Sequence, residues 1–409
     1  MRGWLRQTFA SLAIGPFRIL WFGTLTSFLA FFMSTIVNSV VAFELTGTNR
    51  AVGLVIFAQG VAMFLLGPIG GAYADRWPKR RVVATGQGVT AAVLLTLAAL
   101  VARDVIAVWH LALGGFFMGM CFAFMGPARQ ALVVDLVPIE QRGNAIALSQ
   151  VANNASRVGG PAAAGALLDW DAVGTAGAYV VMATLYTLSA ASLLLLPRSF
   201  GRGGIATRVF ADVADGVRYV RDEPLLRILL LFFVLVMMTG FPYVSVMPGF
   251  VENQLGREAR AIGLLMGVAA AGGLLASLLV ARYADAPGAR AIYSTLGLAF
   301  GVSLLALALA PDYGWAVTIS CALGAANGGF QTLSNAVLLR ATEPAYVGRV
   351  MSLTMMAFAG FALMGLPIGF LADLVGERGS LVAMGVAVCA VALVFWLALL
   401  RVERGGLRR

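Results

Sequence analysis

The charged residues of this chain lie in short clusters between long, predominantly apolar runs. Many of these runs exceed twenty residues, and about 20 apolar residues in a helix span the ~30 Å hydrocarbon core of a bilayer. Hydrophobic side chains make up 60% of the chain and charged ones only 12%, whereas soluble chains are about 25% charged. The pattern excludes a soluble globule and predicts a polytopic membrane protein.

Twelve of these runs are long enough to cross a bilayer as helices. Membrane-spanning strands would instead alternate between apolar and polar residues over about ten positions, and these runs do not. The expected fold class is an all-α membrane protein with twelve transmembrane helices. The predicted spans are 17–45, 51–74, 81–102, 106–129, 144–168, 174–197, 225–251, 261–284, 290–310, 314–340, 350–375 and 379–401.

Short motifs recur about half the chain length apart. The sequence Gly-Ala-Tyr-Ala-Asp at 71–75 has the counterpart Ala-Arg-Tyr-Ala-Asp at 281–285, and Pro161 has the counterpart Pro367. Each half holds an even number of spans, so the two six-helix pseudo-repeats are parallel and related by an axis along the membrane normal. We expect bundles at 1–197 and 225–409, joined by a linker at 198–224 with an amphipathic helix on the membrane surface.

The basic residues predict the orientation of the chain in the membrane. One set of connections and adjoining span ends holds 23 arginine and lysine residues, and the other set holds five. Because cytoplasmic loops carry the excess of basic residues, both termini are expected in the cytoplasm. We expect no removable signal peptide and a multi-pass location in the cytoplasmic membrane of a prokaryote.

The composition excludes several chemistries. The chain has one histidine, His110, and three cysteines inside apolar runs, which excludes a zinc cluster and a disulfide framework. The single lysine, Lys79, does not follow a glycine-rich turn, so there is no Walker A loop. No protease or hydrolase motif is present. We therefore expect no catalytic residue, metal or cofactor, and no enzyme; any pumping must use an ion or substrate gradient.

Arg157 is the one charged residue predicted deep inside a span. It lies 15 residues beyond Arg142, roughly 22 Å along a helix at 1.5 Å per residue. Intramembrane arginines generally face a cavity or a partner, and Asn153 lies one turn earlier on the same face. Three interpretations stay open: a contact for an anionic or polar substrate, a gating or coupling group, or a donor to carbonyls freed by Pro161.

Polar and soft apolar side chains mark the walls of a predicted central cavity. Span 1 carries a polar stripe with a phenylalanine in its middle, span 10 carries amides four residues apart, and methionine is frequent in spans 7 and 11. Interhelical hydrogen bonding and plain core packing are the competing interpretations of these residues. The predicted cavity residues are Thr24, Ser27, Phe31, Ser34, Asn38, Asn153, Arg157, Met237, Tyr243, Asn327, Gln331 and Met355.

Three motifs carry a resemblance to a known family. The loop after span 2 reads Gly71-x-x-x-Asp75-Arg76-x-x-Lys79-Arg80-Arg81 and resembles the signature loop of the major facilitator superfamily. Span 5 holds Gly160-Pro161-Ala-Ala-Ala-Gly165, which resembles the antiporter motif of its exporters. The stretch 126–138, Gly-Pro-Ala-Arg-Gln-Ala-Leu-Val-Val-Asp-Leu-Val-Pro, is similar to the branch with macrolide efflux proteins and the enterobactin exporter.

The resemblance implies a gating and coupling apparatus. Asp75, at the inner end of span 2, would bind the positive end of span 11 and hold the halves together on the cytoplasmic side; Arg76 and Arg80 are expected to bridge onward to Asp135. The Gly-Pro pair would kink span 5 and shape an outer gate. The gating and coupling residues are Gly71, Asp75, Arg76, Lys79, Arg80, Arg129, Asp135, Gly160, Pro161 and Gly165.

These features predict a secondary transporter that exports small, mostly lipophilic molecules, such as drug-like compounds or siderophores, by alternating access. Proton antiport is the expected driving reaction, and multidrug resistance a possible outcome. The expected partners are the small-molecule substrate, protons and the lipid bilayer, with no nucleic acid, and the chain is expected to be a monomer. The alternatives are an importer of a polar or anionic solute, a non-transporting membrane receptor, or an intramembrane enzyme.

Overall fold

The structure, a computed structural model, describes residues 10–196, 209–258, 261–283, 286, 288–343 and 346–406. At 68, 71–76, 209–213, 355, 358 and 401–406 it describes only the backbone. The described residues form helices joined by short turns, with no strand among them. This confirms the predicted all-α membrane fold.

Six long helices form the first half and agree with the predicted spans to within a few residues, except that α4 extends past its predicted end to Asp135. The turns between them are short, and the αL conformation of Gly47, at φ 63°, ends the first helix. The helices are α1 Gly15–Thr46, α2 Asn49–Arg76, α3 Lys79–Ala102, α4 Val108–Asp135, α5 Arg142–Leu168 and α6 Gly174–Leu194.

The second half repeats this arrangement with two irregularities. Its first helix, predicted as continuous, changes to 3₁₀ and π geometry in its last turns, where Pro242 and Pro248 remove backbone donors. The last two helices are separated by Gly376, at φ 79°. The helices are α7 Pro224–Gly240 with its continuation to Gln254, α8 Ile262–Ala281, α9 Ala289–Ala308, α10 Tyr313–Arg340, α11 Val347–Leu363 continuing to 375, and α12 from 377 to 406.

The described residues contain nine helical stretches that are long and apolar enough to cross a membrane, one of which contains both α11 and α12. Helices α5 and α10 have the length but are not among them. These two helices carry Arg157 and the Asn327–Gln331 pair. Their polar content indicates that they face protein or a cavity more than lipid.

Two seams join the halves, and both are built on glycine. In the α2–α11 seam, a Cβ added to Gly53 would collide with the backbone carbonyl of Gly365. In the α5–α8 seam, a Cβ on Gly263 would lie 2.8 Å from the Gly165 Cα and from the Pro161 carbonyl oxygen. The missing side chains let the helix backbones approach closely, so each seam is tight where these glycines lie.

Both seams are tightest near the same face of the molecule. We call this face, which holds the turn at 47–48 and Gly376, the distal face. The opposite face, which holds the α2–α3 turn and the linker, is the linker face. The linker helix, Val209–Asp222, packs there on the second half: the rings of Tyr219 and Tyr346 stack with centroids 4.0 Å apart, and the Glu343 N–H donates to the Tyr219 hydroxyl.

Candidate functional site

Arg157 lies on α5, where the two halves meet. Its guanidinium stands over the ring of Phe32 in α1, 5.9 Å from the centroid, and is close enough to the Tyr243 hydroxyl of the second half to interact with it electrostatically. The side chain is half-buried. Among the residues whose side chains the structure describes, none forms a hydrogen bond or ion pair with it. The proposed donation to carbonyls freed by Pro161 is therefore not seen.

A second arginine lies in a similar setting on α4. The guanidinium of Arg129 stands 5.0 Å from the centroid of Phe28, one turn before Phe32 on α1, and only 8% of the residue is exposed. It too forms no ion pair with a described side chain. Two neighbouring rings of α1 thus each face a cation from a different helix of the first half, half-buried in Arg157 and buried in Arg129.

The polar stripe of α1 lies mainly within the first half. Thr24, Ser27 and Ser34 are almost fully buried, and their hydroxyls donate to carbonyls of their own helix. Asn38 accepts a 2.7 Å hydrogen bond from the Tyr179 hydroxyl of α6. Only the Asn38 contact agrees with the interhelical interpretation of the stripe, since the three hydroxyls bond within their own helix. The role of these residues in a cavity stays a prediction.

The neighbours of this stripe are more accessible. Phe31 is half-buried and stacks on Phe122 of α4, with centroids 4.9 Å apart. Asn153 is also half-buried on α5, and no described residue is seen to bond its side chain. Phe31, Asn153 and Arg157 are thus the predicted cavity residues of the first half that keep accessible surface in this conformation.

The predicted cavity residues of the second half divide in the same way. Met237 is fully buried in the core of that half, and Tyr243 is 5% exposed, with its hydroxyl 3.9 Å from the Met266 sulfur. The Gln331 amide donates to the Asn327 side chain at 2.9 Å, and both are half-buried. The side chain of Met355 lies outside the described residues.

A hydrogen-bonded group closes the distal end of the α2–α11 seam. The carboxylate of Asp373, in α11, accepts from the backbone N–H groups of Asn49 and Arg50 at 2.8 and 3.1 Å. These are the first two residues of α2, whose N–H groups have no partner within the helix. Asp373 therefore caps the N-terminus of a helix in the other half, where the helix dipole also favours a negative charge.

Glu377 extends this group. Its carboxylate accepts from the side-chain amides of Asn49, Asn253 and Gln254 at 3.1, 2.7 and 3.0 Å, and the residue is 5% exposed. Burial raises the pKa of the carboxyl, but these hydrogen bonds to the charged form outweigh it and hold the pKa below its ordinary value. We call Asn49, Asp373 and Glu377 the distal clasp.

Gly249 lets the clasp close. A Cβ on this residue of α7 would collide with the Asn49 amide oxygen and lie 2.8 Å from a Glu377 carboxylate oxygen. The backbone of the second half therefore approaches the clasp as closely as sterics allow. Neither Asp373 nor Glu377 was predicted as a functional residue from the sequence, because no local motif marks a cap that one helix gives to another.

On the linker face, the gating residues that the structure describes form contacts within the first half. Lys79 makes a 2.6 Å ion pair with Asp135. The prediction that Arg80 bridges to Asp135 is wrong: its guanidinium donates to the carbonyls of Leu194 and Leu196 at the end of α6, and the shorter Lys79 is nearer Asp135. At Gly71, Asp75 and Arg76 the structure describes only the backbone, so the Asp75 latch and the bridge from Arg76 to Asp135 stay predictions.

The Gly-Pro motif of α5 serves two contacts. A Cβ on Gly160 would lie 3.1 Å from the Met33 backbone nitrogen in α1, so this glycine permits close packing inside the first half. Pro161 and Gly165 face Gly263 across the α5–α8 seam. The motif therefore lies at the junction of the two halves, next to Arg157.

The chain was compared with known protein families and relatives. A family model described as Major Facilitator Superfamily matches residues 20–359. The staphyloferrin A transporter of Staphylococcus aureus is 24% identical over 368 residues, covering 87% of this chain and 89% of that protein. Macrolide efflux protein A of Streptococcus pyogenes is 22% identical over 390 residues, covering 92% and 94%.

Solved structures share the fold. The nucleoside transporter NupG, as a mutant, superposes with a TM-score of 0.79 at 13% identity, covering 94% of this chain and 100% of that chain. A bacterial homologue of the iron transporter ferroportin, in an inward-facing state, gives a TM-score of 0.70 at 18% identity, covering 93% and 98%. At these identities the likeness shows the fold alone.

Proposed function

Because the chain belongs to the Major Facilitator Superfamily, and is thus a multi-pass membrane transporter of small molecules and not an enzyme, we propose that it exports mostly lipophilic molecules by alternating access. The observation that carries the proposal is the pair of seams, closed at the distal face, beside a half-buried arginine at the junction of the halves. The similarity to macrolide efflux proteins supports the direction of transport.

The proposed cycle uses the two six-helix halves as rigid bodies. Residues 1–197 and 225–409 would rock about the substrate site, while the linker at 198–224 keeps them together. Opening the distal face requires breaking the Asp373 cap and the Glu377 hydrogen bonds. Closing the linker face would use the Asp75 latch, in which a carboxylate of α2 binds the N-terminus of α11.

Proton antiport is the proposed driving reaction, and the active unit is proposed to be a monomer. The proposed location is the cytoplasmic membrane of a prokaryote, with both termini and the linker face in the cytoplasm. The distal face would then be external, and the 23 to 5 distribution of basic residues supports this orientation. Protons from outside would reach the carboxylates of the distal clasp when it opens.

Flux in oriented vesicles tests this function. Single cysteines at Arg103 and Glu140, which are exposed on the distal and linker faces, report the orientation of each vesicle preparation through a membrane-impermeant reagent. Candidate substrates come from a deletion and overexpression screen with dyes, antibiotics and siderophores. The proposal expects a substrate to move from the linker side to the distal side against its gradient when a proton gradient is imposed.

Uptake of a polar or anionic solute is the second candidate, favoured by the unpaired Arg157 cation. The same vesicles distinguish export from uptake, because an importer moves its substrate from the distal side to the linker side. Absence of gradient-dependent flux for every compound in the screen would contradict both and favour a non-transporting receptor.

A further inference from the structure

The half-buried cation of Arg157 has no anionic partner among the side chains that the structure describes. The sequence places no aspartate or glutamate inside α5 between its two ends, and the acids of the other spans lie near span ends. No described side chain pairs with the guanidinium. A charge held in a low-dielectric interior is costly unless it is paired, so the local structure favours an anion that arrives from elsewhere.

The aromatic contact leaves the hydrogen-bonding capacity of Arg157 unused. The ring of Phe32 interacts with the charge of the guanidinium, and such a contact does not satisfy its five N–H donors. Those donors form a planar fork that matches the two oxygens of a carboxylate. The charge is thus partly stabilised while its donors stay available.

A second cation lies in an equivalent setting nearby. Arg129 stands over Phe28, four residues and therefore about 6 Å along α1 from Phe32. Both arginines approach the same helix from neighbouring helices of the first half. Their fields add along α1, and no described carboxylate neutralises either one.

The two arginines have apolar side chains on one side and the junction of the two halves on the other. Phe32 lies next to the cation and Phe31 packs edge-on against Phe32, and both rings are half-buried. The Tyr243 hydroxyl of the second half is close enough to Arg157 to interact with it electrostatically. A ligand that pairs with Arg157 would therefore contact α1, α5 and α7 together. An amphipathic molecule fits this site, with its charged group at the arginine and its apolar part on the phenylalanines.

We propose that Arg157, with Arg129 as a second cation, binds the carboxylate of an amphipathic substrate at the junction of the two halves. The assignment rests on the proposed transport function and narrows its substrate class from lipophilic molecules to those that bear a carboxylate. Arg157 is the residue that touches the substrate, and Arg129 adds attraction from a distance.

Binding to purified protein in phosphatidylcholine nanodiscs tests the assignment without transport. The probe is 11-(dansylamino)undecanoic acid, and its carboxamide is the neutral partner; empty nanodiscs give the background. A hydrogen bond to a charged group contributes roughly 1.5–3 kcal/mol, which corresponds to an affinity preference for the acid of about tenfold or more. Arg157→Gln should remove most of this preference, and Arg157→Lys should keep part of it, because the charge remains but the planar fork of donors is lost.

Arg282→Gln is the matched control, because Arg282 also stands over an aromatic ring, that of Tyr283 at 4.7 Å, but is exposed on the linker face. It should leave the preference unchanged. Arg129→Gln should reduce acid binding less than Arg157→Gln. Folding of each variant is checked by its thermal transition, and Arg157→Lys separates loss of charge from loss of structure.

Four results would overturn the assignment. They are no saturable binding of the acid, equal affinity for acid and amide, an unchanged preference in Arg157→Gln, or full displacement of the acid by phosphatidylglycerol, which would assign the site to a lipid headgroup. Flux is measured separately in proteoliposomes. An acid preference without flux would contradict the proposed function but support the binding site. Flux without an acid preference would support the proposed function but contradict the binding site.

Discussion

Asp373 is a single carboxylate that joins the two halves by capping a helix that is not its own. Its two oxygens accept from the first two N–H groups of α2, and the Arg50 guanidinium is 3.9 Å away. A negative charge at a helix N-terminus contributes about 0.3–1 kcal/mol when exposed and up to ~2 when partly buried. The Asp373 side chain is 22% exposed, so its contribution lies within this range.

Asp373→Asn should therefore weaken closure of the distal face. The amide keeps the size of the side chain but loses the charge, and a loss of ~1.4 kcal/mol shifts the closed-to-open ratio about tenfold. The measurement is the spin-label distance between cysteines at Arg103 and Leu309, exposed ends of α3 and α9. Asp171→Asn, an exposed acid on the same face, is the control, and equal distance distributions for the two variants would contradict the cap.

Glu377 makes the distal clasp sensitive to pH. Its pKa is below the ordinary glutamate value while the clasp is closed, so opening the clasp raises that pKa to the ordinary value and is accompanied by proton uptake only at acidic pH. The stabilisation is therefore present above the ordinary pKa, near 4.3, and is lost as the pH falls through the depressed pKa.

Acid should consequently open the distal face of the wild-type protein as the pH falls below the ordinary glutamate pKa of about 4.3. Glu377→Gln should be more open at pH 7 than the wild type, because the amide N–H₂ cannot accept from Gln254, and its pH response should be smaller. The Arg103–Leu309 distance, followed from pH 7 to pH 3, checks both. A pH response that is the same in wild type and Glu377→Gln would show that another group titrates.

Residue-level prediction from sequence was least successful at this clasp and at Asp135. The sequence shows that Asp373 ends a span, but its partners are more than 300 positions away, and only the three-dimensional arrangement brings α2 and α11 together. Lys79 and Arg80 are neighbours at the start of α3, and which of them pairs with Asp135 depends on where the end of α6 lies.

At the scale of helices, the α2–α11 seam depends on small residues at the points of contact. Gly53 faces the Gly365 carbonyl so closely that a methyl group cannot fit without a backbone shift. Gly67 lies on the same helix, and a Cβ there would meet no atom within 4 Å. The two glycines therefore provide a matched comparison within one helix.

Gly53→Ala should separate α2 from α11 and disfavour the closed distal face. Overpacking of this kind costs typically 1–3 kcal/mol, equivalent to a shift of about fivefold to a hundredfold toward the open distal face. Gly67→Ala carries the same gain in helix propensity without the collision, so the Arg103–Leu309 distance should change only in Gly53→Ala. A similar change in both variants would place the seam elsewhere.

The helices themselves were largely predictable, because twenty-residue apolar runs separated by charged turns leave few alternatives in a bilayer. The irregular end of α7 was not predicted, although Pro242 and Pro248 lie there, since prolines are tolerated inside membrane helices. The pattern of long, mainly apolar runs also predicted the polar helices α5 and α10, and their polar residues were interpreted as functional. The meeting of α2 with α11 was implied only by the resemblance of the loop motif to that of the superfamily, and the α5–α8 seam was not predicted.

For the whole molecule, the two carboxylates on α2 and α11 suggest a balanced pair of contacts. Asp373 of α11 caps the N-terminus of α2 at the distal face, and Asp75 of α2 is proposed to bind the N-terminus of α11 at the linker face. Each contact would stabilise one closed face. The fold and family were predicted from the sequence and are confirmed, whereas alternation between the two faces is the central proposal.

Paired spin-label distances on both faces test this alternation most directly. One pair, at Arg103 and Leu309, reports the distal face, and a second, at Glu140 and Leu339, reports the linker face from exposed positions in the two halves. Asp373→Asn should lengthen the distal distance and shorten the linker-face distance, and Asp75→Asn should do the reverse. Distances that lengthen together on both faces, or a change on one face alone, would contradict alternating access.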